Sequence, residues 1–297
     1  MISHLRLNTT KTLSQHVSMQ VDDNGFEFIV LNHPNFDAAF SLHGAHLVHY
    51  QKKQQAPLIY TSKVAFFDSN KAIRGGVPIC WPWFGNTTFS KSNNLPGHGF
   101  ARINKWTVSQ IIETDNGIDI SFSFTSNTST KTMWNHDFEL TLTASLSDNI
   151  ELSLITKNTG DSSFSYGGAL HTYLNIADVE QCVVKGLAES YSDSLDNKQI
   201  KTNTQPLLIN KPIDSIYAVN EGEIIVDDND NKRKIMITNQ GNDAVVVWNP
   251  WVEGAKGFAD MPDDGYKTML CIEAAITSEA GTVVKAGQSH TLKTIIK

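Results

Sequence analysis

A single glutamate ends an otherwise apolar row of side chains in the last quarter of the sequence. In residues 268–275, Thr-Met-Leu-Cys-Ile-Glu-Ala-Ala, alternation places Met269, Cys271 and Glu273 on one face of a strand. A carboxylate buried without a partner is costly, so Glu273 needs a partner or a chemical purpose. Desolvation raises the pKa of a carboxyl group toward neutrality, which suits a general base. The alternative is a glutamate at the solvent-exposed end of the strand.

A histidine lies in a second strand-like segment, residues 167–174, which begins with small residues. Period-two alternation places His171 and Tyr173 on the same face, an arrangement typical of a binding surface. Free imidazole has a pKa of about 6.5, so we expect His171 to be protonated in a useful fraction of molecules at neutral pH. The alternative is a core histidine that donates to a backbone carbonyl.

Two arginines lie in irregular segments that contain glycine. Residues 72–85 combine glycines, prolines and tryptophans, which no regular strand accommodates, and Arg74 lies at their entrance. Residues 95–102 place His98 between two glycines and Arg102 four residues later. The chain has four arginines, and two in these loops favour a phosphate or carboxylate site, because guanidinium is a planar, permanently charged fork. The alternative is a structural corner with a turn histidine and surface arginines.

The elements that must position these side chains are strands. Residues 117–124 alternate apolar and polar side chains, and residues 138–146 and 150–155 do the same around turn residues 147–149. Helical periodicity is weak throughout. Many short strands with polar turns predict an all-β fold, an antiparallel sandwich with few short helices, whose connections can form a cleft. No linker-like segment interrupts residues 1–297, so we expect one domain.

Composition argues against several classes of protein. The net charge is -7 and no Lys/Arg-rich run occurs, so the sequence predicts no nucleic-acid partner, and an anionic ligand would need a local cationic site. Residues 1–6 lead into polar sequence rather than a secretory core, and no apolar run reaches the roughly 18 residues of a membrane span. The cysteines Cys80, Cys182 and Cys271 form no C-x-x-C pair, which fits a reducing compartment. We therefore expect a cytoplasmic protein without a membrane partner.

Taken together, these segments resemble one known family. Residues 74–85, 97–102, 171–173, 247–251 and 271–273 are similar, in this order, to sequence blocks of the glucose-6-phosphate 1-epimerase (hexose-6-phosphate mutarotase) family. Each block combines rare residues, and the order is hard to obtain by chance. The family belongs to the aldose-epimerase superfamily, so the resemblance implies the galactose mutarotase-like β-supersandwich.

The resemblance also implies roles for individual residues. His171 corresponds to the family's catalytic histidine, and Glu273 corresponds to its catalytic carboxylate. Arg74 and Arg102 fall on arginines that contact the substrate.

Two further positions match the family's substrate-binding residues, and one departs from the pattern. Asp214, in Pro-Ile-Asp-Ser-Ile-Tyr, matches an aspartate that binds the sugar, and His98 matches a histidine that contacts the sugar ring or a hydroxyl. Relatives often have glutamine before that histidine, where this chain has Gly97. The departure leaves the range of substrates open.

The activity implied is interconversion of the α and β anomers of a hexose 6-phosphate, with glucose 6-phosphate as the expected substrate. Ring opening needs a base on the O1 hydroxyl and an acid at the ring oxygen O5, and we assign Glu273 and His171 to these roles. The two arginines would neutralise the phosphate. We expect no cofactor, no metal, and a monomer whose partner is the small-molecule hexose phosphate.

Other functions are consistent with the same residues. His98, His171 and Glu273 could hold a metal, although no His-x-His or His-x-x-x-His spacing supports this. A two-carboxylate glycosidase would need a second acid facing Glu273, and no other carboxylate stands out so clearly. A mutarotase of unphosphorylated aldoses and a non-catalytic carbohydrate-binding module are also open, and only the arginines favour the phosphate.

Overall fold

The computed structural model describes residues 5–86, 95–203, 206–219 and 222–297. Residues 1–4 of the amino-terminal segment, from which the sequence predicts no secretory signal, lie outside the described residues. Strands dominate the part of the chain that is described, as the sequence predicts. No helix in these ranges combines the length and apolar character that a membrane span requires.

The strands of the described residues are short and follow one another along the chain. They are β1 (Asn8–Thr12), β2 (Val17–Val21), β3 (Glu27–Asn32), β4 (Phe36–Ser41), β5 (His46–Lys52), β6 (Ile79–Cys80), β7 (Thr107–Thr114), β8 (Gly117–Thr125), β9 (Phe138–Leu146), β10 (Ile150–Asn158), β11 (Phe164–Tyr166), β12 (Gly168–Leu170), β13 (Tyr173–Asn175), β14 (Cys182–Lys185), β15 (Ser190–Asp193), β16 (Gln199–Thr202), β17 (Leu207–Leu208), β18 (Ile213–Ala218), β19 (Ile224–Asp228), β20 (Arg233–Gln240), β21 (Ala244–Asn249), β22 (Met269–Ile276), β23 (Thr282–Val284) and β24 (Ser289–Ile296).

The α-helices found in these ranges are α1 (Thr128–Met133) and α2 (Trp251–Lys256). Single 3₁₀ turns occur at Ala101–Ile103, Val179–Gln181, Ser194–Asp196 and Gly265–Thr268.

The strands form antiparallel sheets that are not arranged in chain order. One sheet has the order β1-β2-β3-β4-β5, and a nine-stranded sheet has the order β17-β14-β19-β20-β24-β10-β9-β8-β7. An eight-stranded sheet has the order β16-β15-β18-β21-β22-β12-β6, with β13 also paired to β22, and β11 pairs with β23. Strands distant in sequence are therefore neighbours in the sheets.

The large sheets share one hydrophobic core. Leu270 and Ile272 of β22 belong to the same buried cluster as Leu154 of β10 and Leu292 of β24. Burial of each such side chain contributes roughly 1.5–3 kcal/mol to the free energy of folding. Because alternate residues of β22 point into this core, the residues between them point to the other face of the eight-stranded sheet.

That other face carries polar side chains in register. Strands β12 and β13 pair with β22 in one continuous register, so His171, which lies between them, is opposite Glu273. The same face continues across the sheet, where Trp248 of β21 pairs with Cys271 and Asp214 of β18 pairs with Trp248. The fold thus places residues from four separate parts of the sequence on one surface.

Candidate active site

A cavity of about 1020 Å³ opens on this face of the eight-stranded sheet. All six side chains that the sequence singles out line it: Arg74, His98, Arg102, His171, Asp214 and Glu273. Asp214 and Glu273 lie on strands, and His171 lies between β12 and β13. The two irregular loops supply Arg74, His98 and Arg102. The structure therefore brings the two arginines to one cavity, which the sequence alone does not establish.

His171 and Glu273 form the floor of the cavity. Nδ1 of His171 lies 3.3 Å from Oε1 of Glu273, and the side chains are 10% and 1% exposed. The angles of this approach are not those of a hydrogen bond, and Nδ1 of His171 and Oε2 of Glu273 have no hydrogen-bond partner among the described residues. Two buried groups that can exchange protons are thus left available to a ligand.

Burial controls the protonation of this pair. Desolvation raises the pKa of Glu273 well above its usual value, and the negative charge of Asp214 adds to the rise. Desolvation lowers the pKa of His171 well below 6.5, and His98 and Arg102 lower it further. The raised pKa of Glu273 confirms the sequence-based expectation. The expectation that His171 is substantially protonated at neutral pH is wrong for the protein alone, because the imidazole is buried among cations.

The pair nevertheless holds the proton that acid–base chemistry requires. A carboxylic acid beside a neutral imidazole carries the same number of protons as a carboxylate beside an imidazolium. The directions of the two pKa shifts favour the uncharged form of His171 and Glu273. One proton moved from Glu273 to His171 converts the uncharged form into the charged form, and the number of protons on the pair stays the same.

Aromatic rings fix the orientation of His171. The ring of Tyr173 stacks on the imidazole with a centroid distance of 4.8 Å and an interplanar angle of 10°. Trp248 contacts the imidazole edge-on at 6.1 Å, and the backbone N–H of His171 donates to the carbonyl of Pro78 at 3.0 Å. The imidazole is therefore held in one orientation, which directed proton transfer requires.

Arg74 is held on three sides. Its Nε donates to Oδ1 of Asp260 at 3.1 Å, and its Nη1 donates to the hydroxyl of Tyr173 at 3.4 Å. The ring of Phe258 lies 4.1 Å below the guanidinium carbon, a cation–π distance. These contacts pre-position the guanidinium on the wall of the cavity.

Arg102 keeps free donors. Its Nη2 donates to the carbonyl of Gly97 at 2.9 Å, while its buried Nε has no hydrogen-bond partner among the described residues. A Cβ added to Gly97 would have its nearest neighbour at 3.8 Å, so the position has room for a side chain. The backbone carbonyl of Gly97 thus holds the arginine.

His98 lies on a tight turn next to this arginine. Its φ of 61° is left-handed, its N–H donates to the carbonyl of Gly85 at 2.6 Å, and the N–H of Gly85 donates to its Nδ1 at 3.3 Å. Because Nδ1 accepts, the ring proton lies on Nε2. Burial lowers the pKa of His98 to about 4, with further lowering by the charges of Arg102 and Arg74, so the ring is a neutral donor at neutral pH.

Asp214 reaches the cavity from β18. Burial raises its pKa, and a hydrogen bond from Ser194 opposes that rise. Its register partner Trp248 lies between it and the floor residues. Asp214 is thus placed to accept hydrogen bonds from a ligand that contacts Glu273.

Sequence reasoning missed two residues of the site. Phe258 and Asp260, in the segment after α2, hold Arg74 from the side opposite Tyr173. They follow no periodicity, and an aromatic and an acid in a loop are common on any protein surface. The sequence shows only that an aromatic residue and an acidic residue follow Trp251 in a loop. This pattern is too weak to connect Phe258 and Asp260 with Arg74, which lies 186 residues before Asp260.

An antiparallel sandwich whose cavity brings together a buried histidine and a buried glutamate points to a class of protein: the carbohydrate epimerases, or mutarotases. The chain belongs to the aldose 1-epimerase family, whose sequence model, described as "Aldose 1-epimerase", matches residues 27–297.

Similar proteins agree with this assignment. A protein named "Putative glucose-6-phosphate 1-epimerase" from Escherichia coli K12 is 33% identical over 270 residues, which cover 91% of this chain and 90% of that protein. The crystal structure of a "putative mutarotase" from Salmonella typhimurium has a TM-score of 0.90 at 30% identity and covers 98% of this chain and 96% of that chain. A galactose mutarotase-like protein from Clostridium acetobutylicum shares the fold, with a TM-score of 0.75 at 14% identity over 95% of this chain and 97% of that chain. The galactose mutarotase-like supersandwich implied by the sequence blocks is thereby confirmed.

Proposed function

We propose that this protein interconverts the α and β anomers of a hexose 6-phosphate, with glucose 6-phosphate as substrate. The observation that carries the proposal is the 3.3 Å approach of His171 Nδ1 to Glu273 Oε1 in a cavity that Arg74 and Arg102 also line. The proton-transferring pair suits the anomeric centre, and the arginines suit the phosphate.

The reaction needs two proton transfers and no other covalent chemistry from the protein. Glu273 takes the proton of the O1 hydroxyl while His171 gives a proton to O5, the C1–O5 bond breaks, and a free aldehyde forms. Rotation about C1–C2 presents the other face of the aldehyde to the O5 hydroxyl. Closure then reverses both transfers and gives the other anomer. Each positioned transfer contributes about 10²- to 10⁴-fold to the rate.

The substrate's phosphate also prepares the pair for this reaction. The charges of Arg102 and Arg74 lower the pKa of His171 in the protein alone. A phosphate dianion between these arginines compensates their charge, so the pKa of His171 rises when substrate binds. Because Arg102 also lowers the pKa of Glu273, the phosphate raises the pKa of both groups, and only its effect through Arg74 acts on His171 alone.

The phosphate itself is favoured by local charge. The chain has a net charge of -7, so a dianion gains nothing from the protein as a whole. The free donors of Arg102 and the pre-positioned guanidinium of Arg74 supply a cationic wall within this acidic protein. The names of the relatives in Escherichia coli and Salmonella typhimurium, both "Putative glucose-6-phosphate 1-epimerase", support the same choice of substrate. A monomeric, cytoplasmic, one-domain protein stays a prediction from the sequence.

The decisive assay mixes freshly dissolved α-glucose 6-phosphate with a dehydrogenase specific for the β anomer. The protein should remove the lag before dehydrogenation, and Glu273→Gln or His171→Asn should each lower the acceleration by about 10²- to 10⁴-fold. Matched controls come from a second His–Glu pair outside the cavity, where Nδ1 of His16 lies 2.9 Å from Oε2 of Glu113. Glu113→Gln and His16→Asn should keep full activity.

Full activity in both cavity variants would refute the roles assigned to His171 and Glu273. Binding of glucose 6-phosphate without removal of the lag would instead identify a carbohydrate-binding module.

A mutarotase of unphosphorylated aldoses is the second candidate, because the family description, "Aldose 1-epimerase", names no phosphate. The same assay with α-glucose and a dehydrogenase for β-glucose separates the two. On our proposal, kcat/KM is higher for the phosphate by at least tenfold, and Arg102→Gln removes most of that difference. An equal kcat/KM for the two sugars would favour the second candidate.

A further inference from the structure

We propose that His171, Cys271 and Glu273 form a binding site for Zn²⁺, and that the bound ion blocks the proton-transferring pair. One ligand atom from each residue lies within 4.8 Å of the other two, and all three residues are buried. Two of the three ligands, His171 and Glu273, are the residues assigned to the sugar reaction, so the block of activity rests on the proposed function, whereas binding of the ion does not.

The distances fit tetrahedral zinc. Zinc binds imidazole nitrogen and carboxylate oxygen at about 2.0–2.2 Å, so two such ligands in a tetrahedron lie roughly 3.3–3.5 Å apart. Nδ1 of His171 and Oε1 of Glu273 already lie 3.3 Å apart. The thiol of Cys271, with a zinc–sulfur bond of about 2.3 Å, would lie roughly 3.5 Å from the other two ligand atoms in a tetrahedral site. Because the three ligand atoms now lie within 4.8 Å of one another, the thiol has to move closer by no more than about 1.3 Å.

The register of the sheet explains why the three residues converge. Cys271 and Glu273 are two residues apart on β22 and therefore share a face. His171 is opposite Glu273, and its neighbour Tyr173 pairs with Cys271. The backbone ladders thus hold all three side chains, and no loop movement is needed to bring them together.

Unpaired atoms indicate that the cluster can take a ligand. Nδ1 of His171 and Oε2 of Glu273 are buried and without a hydrogen-bond partner in the described ranges. Buried polar atoms are normally paired, so an ion bound by Nδ1 of His171 and by the carboxylate of Glu273 would give that nitrogen a partner and compensate the buried carboxylate. A metal site that used His98 is less suitable, because Nδ1 of His98 accepts from the N–H of Gly85.

Zinc suits this mixed set of ligands better than magnesium does. Zinc binds nitrogen, sulfur and oxygen together, whereas magnesium prefers six oxygen ligands. Three protein ligands leave the fourth position open toward the cavity for water. The ion would occupy the nitrogen of His171 and the carboxylate of Glu273, so neither could move a proton, and anomer exchange would stop until the ion leaves.

Binding can be measured without any assay of activity. The EDTA-treated protein is titrated with Co²⁺, which replaces zinc and whose visible and near-ultraviolet absorption reports tetrahedral thiolate ligation. We expect one equivalent to bind, with loss of the thiolate absorption in Cys271→Ala. Cys182→Ala, which removes a buried thiol far from the cavity in β14, should bind as the wild type does.

Absence of a thiolate–cobalt band in the wild-type protein would overturn the proposal, and so would the same band in Cys271→Ala. The titration of the wild-type protein alone can overturn the proposal, so the test remains valid even if Cys271→Ala does not fold. The failure of the proposed sugar reaction would not affect this titration.

A second experiment measures whether the bound zinc inhibits anomer exchange. Added Zn²⁺ should lower the anomer-exchange rate of the wild-type protein at least tenfold, and EDTA should restore it, while Mg²⁺ has no effect. Cys271→Ala should keep the basal rate and need at least tenfold more zinc for the same inhibition. Equal zinc sensitivity of Cys271→Ala and Cys182→Ala would contradict the site.

Discussion

Arg102 affects both members of the His171–Glu273 pair through its charge. It lowers the pKa of His171 and also lowers that of Glu273. Arg102→Gln keeps a donor for the carbonyl of Gly97 and removes the positive charge. Because a cation nearby disfavours imidazolium, the pKa of His171 should rise in this variant.

This shift can be followed by NMR titration of the histidine ring signals, with the His171 signal assigned from His171→Asn. His290 is an internal control, because burial alone lowers its pKa and no charged neighbour contributes. An unchanged pKa of His171, or one that falls, would show that Arg102 does not act on the pair.

The planar fork of Arg74 matters beyond its charge. Its Nε contacts Asp260, its Nη1 contacts the hydroxyl of Tyr173, and its flat face lies on Phe258. Lysine keeps the charge but cannot make these contacts together. On the proposed function, Arg74→Lys should raise KM for glucose 6-phosphate about tenfold and change KM for glucose much less.

Steady-state kinetics with the two sugars measure this difference, and Arg6→Lys, at an exposed position remote from the cavity, is the matched control. A similar KM for glucose 6-phosphate in Arg74→Lys and in the wild type would mean that the phosphate needs only a positive charge at this position.

The sequence singled out residues that the structure brings to one cavity, but it could not predict their protonation. Glu273 is marked by its place at the end of an apolar row, and His171 is marked by its position beside Tyr173. The low pKa of His171 depends on the depth of burial and on cations from two loops. Neither quantity is contained in the local sequence.

At the scale of elements, the loop that carries His98 depends on a backbone contact. Gly99 has a φ of 74°, and a Cβ added there would lie 2.0 Å from the carbonyl oxygen of Trp81. Gly99→Ala therefore combines a left-handed conformation, which costs about 1–2 kcal/mol in itself, with a clash against backbone. We expect a loss of at least 2 kcal/mol in the free energy of unfolding.

Urea denaturation measures this loss, and Gly97→Ala is a matched control two residues away. A Cβ at Gly97 meets nothing closer than 3.8 Å, so this variant should stay within about 0.5 kcal/mol of the wild type. Equal stability of Gly97→Ala and Gly99→Ala would show that the loop moves away from Trp81 at no cost.

Amphipathic strands could be predicted well because alternation is a local property. The predicted hairpin is confirmed as β9 and β10, which pair across residues 147–149. The predicted strand through His171 is interrupted there and forms β12 and β13 instead. Strands such as β15 and β16, with little burial, have no alternation strong enough to be recognised.

At the scale of the whole molecule, the pairing of sheets could not be predicted from the residues alone. Strand β24 lies between β20 and β10, and β22 lies between β21 and β12. Such neighbours are set by the packing of one sheet on the other, not by turn residues. The family resemblance supplied the overall architecture, because it carries information about pairing that periodicity lacks.

The packing of the sheets predicts one cooperative unfolding transition. Phe40 of the amino-terminal sheet contacts Phe122 of the nine-stranded sheet at a centroid distance of 5.0 Å, and both belong to the buried cluster that contains Ile272 of the site's sheet. No sheet can therefore lose its partner without exposing core side chains of the others, each at a cost of roughly 1.5–3 kcal/mol. Tryptophan fluorescence reports the six tryptophans of the chain, of which Trp83 and Trp248 line the cavity. It should follow the same urea curve as far-ultraviolet circular dichroism, which reports all strands. Two separate transitions would contradict the one-domain prediction, since the amino-terminal sheet would then unfold independently of the sheets that hold the site.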